Sequence, residues 1–270
     1  MDITERWRYP RFFTGNMALS DEDKHHAKQV LRIKNGDKVI LCENGMDYLC
    51  EYIGGDVGCD AHDTPDCEMF KLIESTQNIA EPNINVRLFQ CLPKSDKMDF
   101  IVQKAVELGV SEIIPVISKR CVSRPDRKSS VGKITRWNRI SYEAAKQCGR
   151  GKIPIVSDVV SFKEALQELK PQDLSIIFYE SADSLECGGK SLNEIVGMNS
   201  NPCDGDNPCD GDNPFVMNLI IGSEGGFIFD EVALAKSQGA IPATLGKRIL
   251  RVDTASIAAL SVIMNLTGNI

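Results

Sequence analysis

The sequence predicts an α/β domain with a mainly parallel sheet, preceded by a small β-rich domain of barrel type. Three observations predict this. Up to about Thr76 the chain alternates short apolar runs with turn signals, the pattern of a small barrel. Beyond Asn83, strand-like and helix-like segments alternate at the spacing of a parallel sheet with crossover helices. Between the two, residues 78–83 are polar, carry Pro82 and read as a linker, which sets domains at 1–77 and 83–270.

In chain order, Ser20-Asp-Glu-Asp is a helix start, with a capping hydroxyl and acids in the first turn. The helix it opens carries His25, His26, Val30 and Leu31. Strands follow at Asp37–Cys42, entered through Asn35-Gly36, at Met46–Ile53 after Asn44-Gly45, and at Cys67–Ile73. In the second domain Asn85–Leu92 is a strand, and Asp96–Leu108 a helix ended by Gly109. Glu112–Val116 is the next strand. Ser129–Cys148 is a long helix with Val131, Ile134, Trp137, Ser141, Ala145 and Cys148 on one stripe. Leu174–Tyr179, Phe215–Ile221 and Ala243–Leu245 are further strands. Thr254–Leu266 is an apolar, Ala- and Ser-rich helix, which predicts burial on both sides, in the core or against a second copy.

Composition narrows the function. A chain of 270 residues, 42% hydrophobic and 26% charged, is globular and long enough for two domains. No apolar run approaches the roughly 20 residues that span a bilayer, and Met1–Pro10 lacks the apolar core of a signal peptide. A cytoplasmic location without membrane contact is expected. The ten cysteines contain no pair at zinc-knuckle spacing and the histidines number three, so free thiols and no metal are expected. Net charge is −7, yet residues 119–152 hold eleven Lys or Arg against Asp126 and Glu143, a local +9 within a remainder of −16. Such a field suits a phosphate backbone. In the first domain Val39–Phe70 has eight acids and no Lys or Arg, while Arg8, Arg11, Lys28 and Arg32 lie outside that stretch. Residues 201–206 are repeated as 207–212, Asn-Pro-Cys-Asp-Gly-Asp, and read as a duplicated insertion, since the ligand ladder of a calcium loop is missing.

Two glycine-rich elements carry the chemistry. Leu219-Ile-Ile-Gly-Ser-Glu-Gly-Gly226 is a strand running into a glycine turn, which lets backbone amides approach a ligand. Leu245-Gly-Lys-Arg-Ile-Leu-Arg-Val-Asp-Thr-Ala255 joins a short strand to the last helix. On the residues alone, a nucleotide-binding enzyme of Rossmann type stays open, although its glycine fingerprint belongs after the first strand. An RNA-binding protein without catalysis stays open too.

Together the two elements resemble the RsmE family of 16S rRNA uridine-N3 methyltransferases. That family's glycine loop reads Gly-Pro-Glu-Gly-Gly, and its second loop Leu-Gly-x-Arg-Ile-Leu-Arg followed by Thr-Glu-Thr-Ala. Arg8-Tyr-Pro-Arg-Phe-Phe13, Leu92-Pro-Lys94, Gln103-Lys-Ala-Val-Glu-Leu-Gly109 and Glu143-Ala-Ala-Lys-Gln-Cys-Gly-Arg150 match as well, in order along nearly the whole chain. Ser223 stands for the family's Pro and Asp253 for its Glu.

The resemblance implies a PUA-like β-barrel followed by a SPOUT domain with a C-terminal trefoil knot. It further implies S-adenosylmethionine as cofactor, 16S rRNA in the small ribosomal subunit as substrate, and a homodimer. It assigns cofactor binding to three loops: Phe178, Tyr179 and Glu180; then Ile221, Gly222, Glu224, Gly225 and Gly226; then Leu245, Gly246, Ile249, Leu250 and Arg251, with Thr254 beyond. Arg251, Arg150 and Arg120 are candidates to stabilise a developing uridine anion, and Glu224 to take its proton. RNA contacts are expected at Arg8, Arg11, Arg32, Lys94, Arg120, Arg136, Arg139, Lys146 and Arg150.

Overall fold

A computed structural model of the chain describes residues 8–15, 19–54, 69–180, 192–199 and 215–270. Two compact units form, one within residues 1–81 and 145–153, the other within 82–144 and 154–270.

In the first unit, β1 (Arg11–Phe13), β2 (Lys38–Glu43), β3 (Met46–Tyr52) and β4 (Phe70–Gln77) make a sheet in that order. The first pair is parallel and the others antiparallel. The β2–β3 hairpin turns at Asn44-Gly45 with φ of 51° and 81°. A two-residue turn that matches strand twist needs positive φ at both positions, which Asn-Gly supplies. Three-residue β1 is too short to leave a periodic signal; its Phe12 is fully buried in the core with Leu19, Ala27, Val39, Leu41 and Cys50. Among the described residues this sheet is an open path, with no pairing of β4 to β1. Helix α1 (Asp21–His25) starts at Ser20, whose Oγ accepts the Asp23 N–H at 3.1 Å. It does not run on as α-helix to Leu31. Residues His26–Val30 widen into a π-helical turn, closed by Leu31 N–H donating to the His26 carbonyl at 3.0 Å.

The stretch 78–83, a linker by composition, is partly built into this unit. Asn78 is buried, and its Nδ2 donates to Asp47 Oδ1 (2.8 Å) and to the Gly149 carbonyl (3.0 Å). Its short amide is a hydrogen-bond hub, which composition cannot distinguish from a solvated linker residue.

In the second unit every strand pairing is parallel. Strands β5 (Asn85–Cys91), β6 (Glu112–Ile117), β7 (Ile155–Val156), β8 (Val160–Ser161), β9 (Leu174–Phe178), β10 (Val216–Ile221) and β11 (Ile241–Ala243) take the order β11-β9-β10-β5-β6-β7, with β8 also on β6. Crossovers include α2 (Lys97–Glu107), α3 (Arg127–Gln147), α4 (Phe162–Gln167), α5 (Leu192–Asn199) and α6 (Phe229–Ser237). Buried on both faces, β9 and β10 read as apolar runs broken only by Ser175 and Asn218, whose side chains meet as Asn218 Nδ2 donates to Ser175 Oγ at 3.0 Å. Pro115 falls between the β7 pairing at 112–113 and the β8 pairing at 116–117, so its missing N–H breaks no bond there. β11 begins earlier than its sequence suggests. Pro242 is tolerated because β11 is an edge strand, and Thr244 Oγ1 accepts the Gly246 N–H at 3.2 Å, turning the chain away.

Helix α7 (Val252–Leu266) packs on α2 and β10. It is buried on one face only, through Val252, Ser256, Ala259, Leu260, Ile263 and Met264, while Thr254 and Val262 stay exposed. The α3 stripe is likewise shorter than its periodicity predicts. Trp137 and Ser141 are buried, but Val131 is 61% exposed. No helix among the described residues is long and apolar enough to cross a membrane.

Candidate active site

Parallel order sets the carboxyl ends of β11, β9 and β10 side by side, so the chain leaving each strand lies along one sheet edge. Open α/β sheets bind ligands at that edge. All three candidate loops begin there. Phe178 is buried, Tyr179 half-buried and Glu180 exposed. The Tyr179 N–H donates to the Ala243 carbonyl at 3.0 Å, tying the first loop to the end of β11.

Ile221, buried at the end of β10, leads into the glycine loop. Gly226 has φ +64°, and its N–H donates to the Ser223 carbonyl at 2.9 Å. A Cβ there would sit 3.2 Å from Glu180 Oε2, so a side chain would be strained and would press on the neighbouring loop. Gly222 is packed against it, since a Cβ on Gly222 would meet the Gly226 Cα at 3.2 Å. Gly225 is crowded by Arg120, whose Cβ would lie 2.9 Å from an added Cβ and whose Nη1 donates to the Gly225 carbonyl at 2.8 Å. The Glu224 carboxylate accepts from Lys97 Nζ (2.8 Å) and from the Lys94 N–H (3.2 Å). Burial alone would raise the Glu224 carboxyl, but the Lys97 ammonium and the backbone donors outweigh it and hold the pKa below the usual value.

The third loop is open. Leu245 and Leu250 are half-buried, Gly246 and Arg251 are exposed, and Ile249 is 89% exposed. Arg251 is the residue immediately before α7, and Thr254 lies exposed in the first turn of that helix. Asp253 keeps one carboxylate oxygen buried without a hydrogen-bond partner among the described residues.

Sequence reasoning misses the network that braces this edge. Arg124 donates to the carbonyls of Cys121 (3.1 Å), Ser118 (3.1 Å) and Lys119 (2.8 Å), fixing the turn that presents Arg120 to Gly225. Glu231 accepts the N–H groups of Lys119 (2.7 Å) and Ile228 (3.0 Å), joining that turn to the start of α6. Ser118 Oγ and Cys121 Sγ lie 3.2 Å apart. The Cys91 thiol, followed by the Ser118 and Ser223 hydroxyls, lowers the Cys121 pKa, while burial drives Cys91 up. Cysteine spacing carries no signal for this pair. The five described cysteines are free thiols; the others, and the 201–212 repeat, lie outside the described residues.

The arginines and lysines assigned to RNA separate into two groups. Arg8, Arg32, Lys94, Arg120 and Arg139 are exposed, as is Arg136, which also pairs with Asp99. Arg11, Lys146 and Arg150 are used internally. Arg11 Nη2 donates to buried Asp47 at 2.7 Å. Lys146 Nζ pairs with Asp23 at 3.0 Å and lies 5.1 Å from the Phe12 ring centroid. Arg150, 3% exposed, holds Glu81 through Nε (3.0 Å) and Nη2 (2.9 Å), and Glu81 also accepts the Gly151 and Lys152 N–H groups. Arg11 and Arg150 are thus buried against Asp47 and Glu81, and Lys146, 19% exposed, is paired with Asp23, so all three make structural contacts within the first unit.

Comparison with known proteins bears on the same regions. Residues 80–264 match the RNA methyltransferase domain family and residues 19–56 the RNA methyltransferase PUA domain. The ribosomal RNA small subunit methyltransferase E of Bacillus subtilis (strain 168) is 33% identical over 247 residues, 91% of this chain and 88% of that protein. A crystal structure of the ribosomal RNA small subunit methyltransferase E from Neisseria gonorrhoeae, bound to S-adenosyl methionine, superposes with a TM-score of 0.71 at 25% identity, covering 96% of this chain and 98% of that one. A putative methyltransferase from Legionella pneumophila, in complex with bound cofactor SAM, gives 0.72 at 27% identity over 96% and 98%.

Proposed function

Because the chain belongs to the ribosomal RNA small subunit methyltransferase E family, we propose that it methylates N3 of a uridine in 16S rRNA, with S-adenosylmethionine as methyl donor. The observation that carries this is the convergence of the three loops on one sheet edge, with the glycines of 222–226 packed too closely to admit side chains. That cradle of bare backbone fits a nucleoside held by main-chain donors and acceptors. Residues of 178–180, 221–226 and 245–251 would hold it, with Thr254 at their border. When bound, S-adenosylmethionine supplies a methyl group already activated on a sulfonium.

The chain's own work is positioning and charge. Uridine N3 must lose a proton, and the resulting anion needs a cation beside it. Arg251 suits this role. It is exposed and stands at the amino end of α7, where the helix dipole adds positive potential. Arg120 is the second candidate, although its Nη1 is shared with Gly225. Glu224 is a poor proton acceptor, because its carboxylate is already neutralised by Lys97 and its depressed pKa makes it a weak base. We assign it to bracing the glycine loop against Lys94 and Lys97.

The finer architecture belongs to the same reading: a PUA-like barrel at 1–77 and a SPOUT domain at 83–270, whose C-terminal segment is threaded as a trefoil knot. The return of the chain from the β11 edge to α7, packed on α2 and β10, supports such a path. The half-open apolar face of α7 supports a homodimer. The small ribosomal subunit is the substrate, in the cytoplasm.

The test is methyl transfer from labelled S-adenosylmethionine to small subunits lacking the modification, with calorimetry against S-adenosylhomocysteine, NAD and ATP. Labelled N3-methyluridine together with S-adenosylhomocysteine binding is the expected result. Binding of NAD or ATP instead, or RNA binding with no cofactor affinity, would overturn the reading.

A further inference from the structure

Two buried thiols beside the glycine loop have no part in methyl transfer as assigned above. Cys91 ends β5 and is fully buried; Cys121 closes the turn after β6 and is 5% exposed. Strand pairing brings them together. Cys91 is level with Val116 of the neighbouring strand, the Val116 carbonyl accepts the Leu92 N–H at 2.9 Å, and Cys121 Sγ lies 3.8 Å from that same oxygen. The Cys91 thiol donates to the Cys121 sulfur, which also receives the Ser118 N–H at 3.4 Å and has Ser118 Oγ at 3.2 Å. Donors gathered on one sulfur favour its thiolate, while burial keeps Cys91 protonated. Cations stand close by. Arg124 Nε donates to the Cys121 carbonyl at 3.1 Å, and Lys119 and Arg120 are exposed on the same turn. The next residue, Val122, is 68% exposed, so the sulfur lies just under the surface.

A thiolate among cations is the setting in which cysteines react, and a second thiol in contact turns a first oxidation into a disulfide. From this juxtaposition we propose that Cys91 and Cys121 form a peroxide-sensitive dithiol, which closes to a disulfide and disables the cofactor site beside it. The Cys121 thiolate attacks one oxygen of hydrogen peroxide. The O–O bond breaks, the peroxide is reduced, and hydroxide leaves and takes up a proton as water. Cys121 is then a sulfenic acid. The Cys91 sulfur attacks it, the S–H proton passes to the departing hydroxyl, a second water leaves and the S–S bond forms. The effect on the site comes from the turn itself. It carries Lys119, whose N–H Glu231 accepts at 2.7 Å, and Arg120, which donates to the Gly225 carbonyl at 2.8 Å. The Ser223 hydroxyl of the glycine loop acts on the Cys121 sulfur as well. A covalent bond draws the sulfurs closer than a hydrogen bond leaves them, so the turn shifts towards β5 and takes these supports of the loop with it. The loss of methyl transfer rests on the reading that places the cofactor at this loop; the disulfide itself does not.

The test treats the full chain with hydrogen peroxide, blocks remaining thiols, and maps disulfides by mass spectrometry of the digested protein. Methyl transfer to small subunits and calorimetry with S-adenosylhomocysteine are measured before treatment, after it, and after a thiol reductant. The expected result is a peptide pair joined through Cys91 and Cys121. Methyl transfer should fall roughly a hundredfold, the scale of a displacement of about 1 Å near reacting groups, cofactor affinity should weaken with it, and the reductant should restore both. Cys91→Ala should match the untreated wild type in activity, and peroxide should leave it with a sulfenic acid on Cys121 that dimedone traps. Cys91 and Cys121 both recovered as blocked thiols after treatment of the wild type would overturn the proposal. So would a mapped Cys91–Cys121 disulfide with unchanged methyl transfer and cofactor affinity, or equally reversible inhibition in the double variant Cys91→Ala with Cys121→Ser, which would place the target at another thiol. An untreated wild type that neither binds S-adenosylhomocysteine nor methylates subunits would instead refute the functional reading, and the disulfide map would still be read by itself.

Discussion

Replacing Arg150 with Ala should destabilise the protein by about 3 kcal/mol without passing through any RNA contact. The side chains of Arg150 and Glu81 are 4% and 16% exposed, and two charge-assisted bonds of 3.0 and 2.9 Å join them. Breaking a buried pair by deleting one partner costs roughly 3–5 kcal/mol, because the other charge is left uncompensated. Glu81 keeps some solvent and the N–H groups of Gly151 and Lys152 at 2.8 and 3.0 Å, which sets the loss at the low end. If the chain melts as one transition, that corresponds to a fall in Tm of about 6–12 °C, and if the smaller first unit, which holds both residues, melts by itself, to about 12–24 °C. Thermal melts and urea titrations of wild type, Arg150→Ala, Glu81→Ala and the double variant would measure it. The double variant should be less unstable than the two single losses combined, since no lone charge remains. An unchanged melt with a loss of RNA affinity in Arg150→Ala would refute the reasoning and return the residue to the RNA surface.

Gly226→Val should abolish S-adenosylhomocysteine binding by calorimetry while the far-ultraviolet dichroism stays native, since φ of +64° excludes a β-branched residue and Glu180 stands 3.2 Å from the new Cβ; unchanged affinity would remove the site from this loop. Glu224→Gln keeps an acceptor for the Lys94 N–H but loses the Lys97 ion pair, and should weaken cofactor binding about tenfold at pH 7, in line with one charge-assisted bond. Because the folded pKa of Glu224 is depressed, its bracing is complete above the ordinary carboxylate range and fades as pH falls through the lowered value; the wild type should lose cofactor affinity in that acid window and the Gln variant should not. Arg136→Ala with Arg139→Ala should lower the salt slope of RNA binding by about one unit per lost contact at constant cofactor affinity, whereas Lys146→Ala should leave the slope alone and lower the melting temperature by removing the cation paired with buried Asp23.

What the sequence discloses and what it hides divide along the range of the interactions involved. The Asn44-Gly45 hairpin, the Ser20 cap and the buried runs of β9 and β10 are local, each written within a few residues, and they can be read directly. The site was legible for a related reason: its glycines mark backbone that must come close to something, and the parallel order then brings three separate loops to one edge. The charge-rich segment 119–152 misleads because charge is counted locally and spent at a distance. Lys146 is balanced by Asp23, 123 positions away, and Arg150 by Glu81, 69 positions away. No window over the helix contains either acid, so a structural cation and a phosphate contact look the same in sequence. The segment's eleven basic residues therefore overstate the surface offered to RNA. Lys128, Lys133 and Arg139, with Arg136 beside Asp99, are the basic residues that α3 leaves exposed, and the proposed RNA contact would fall among them.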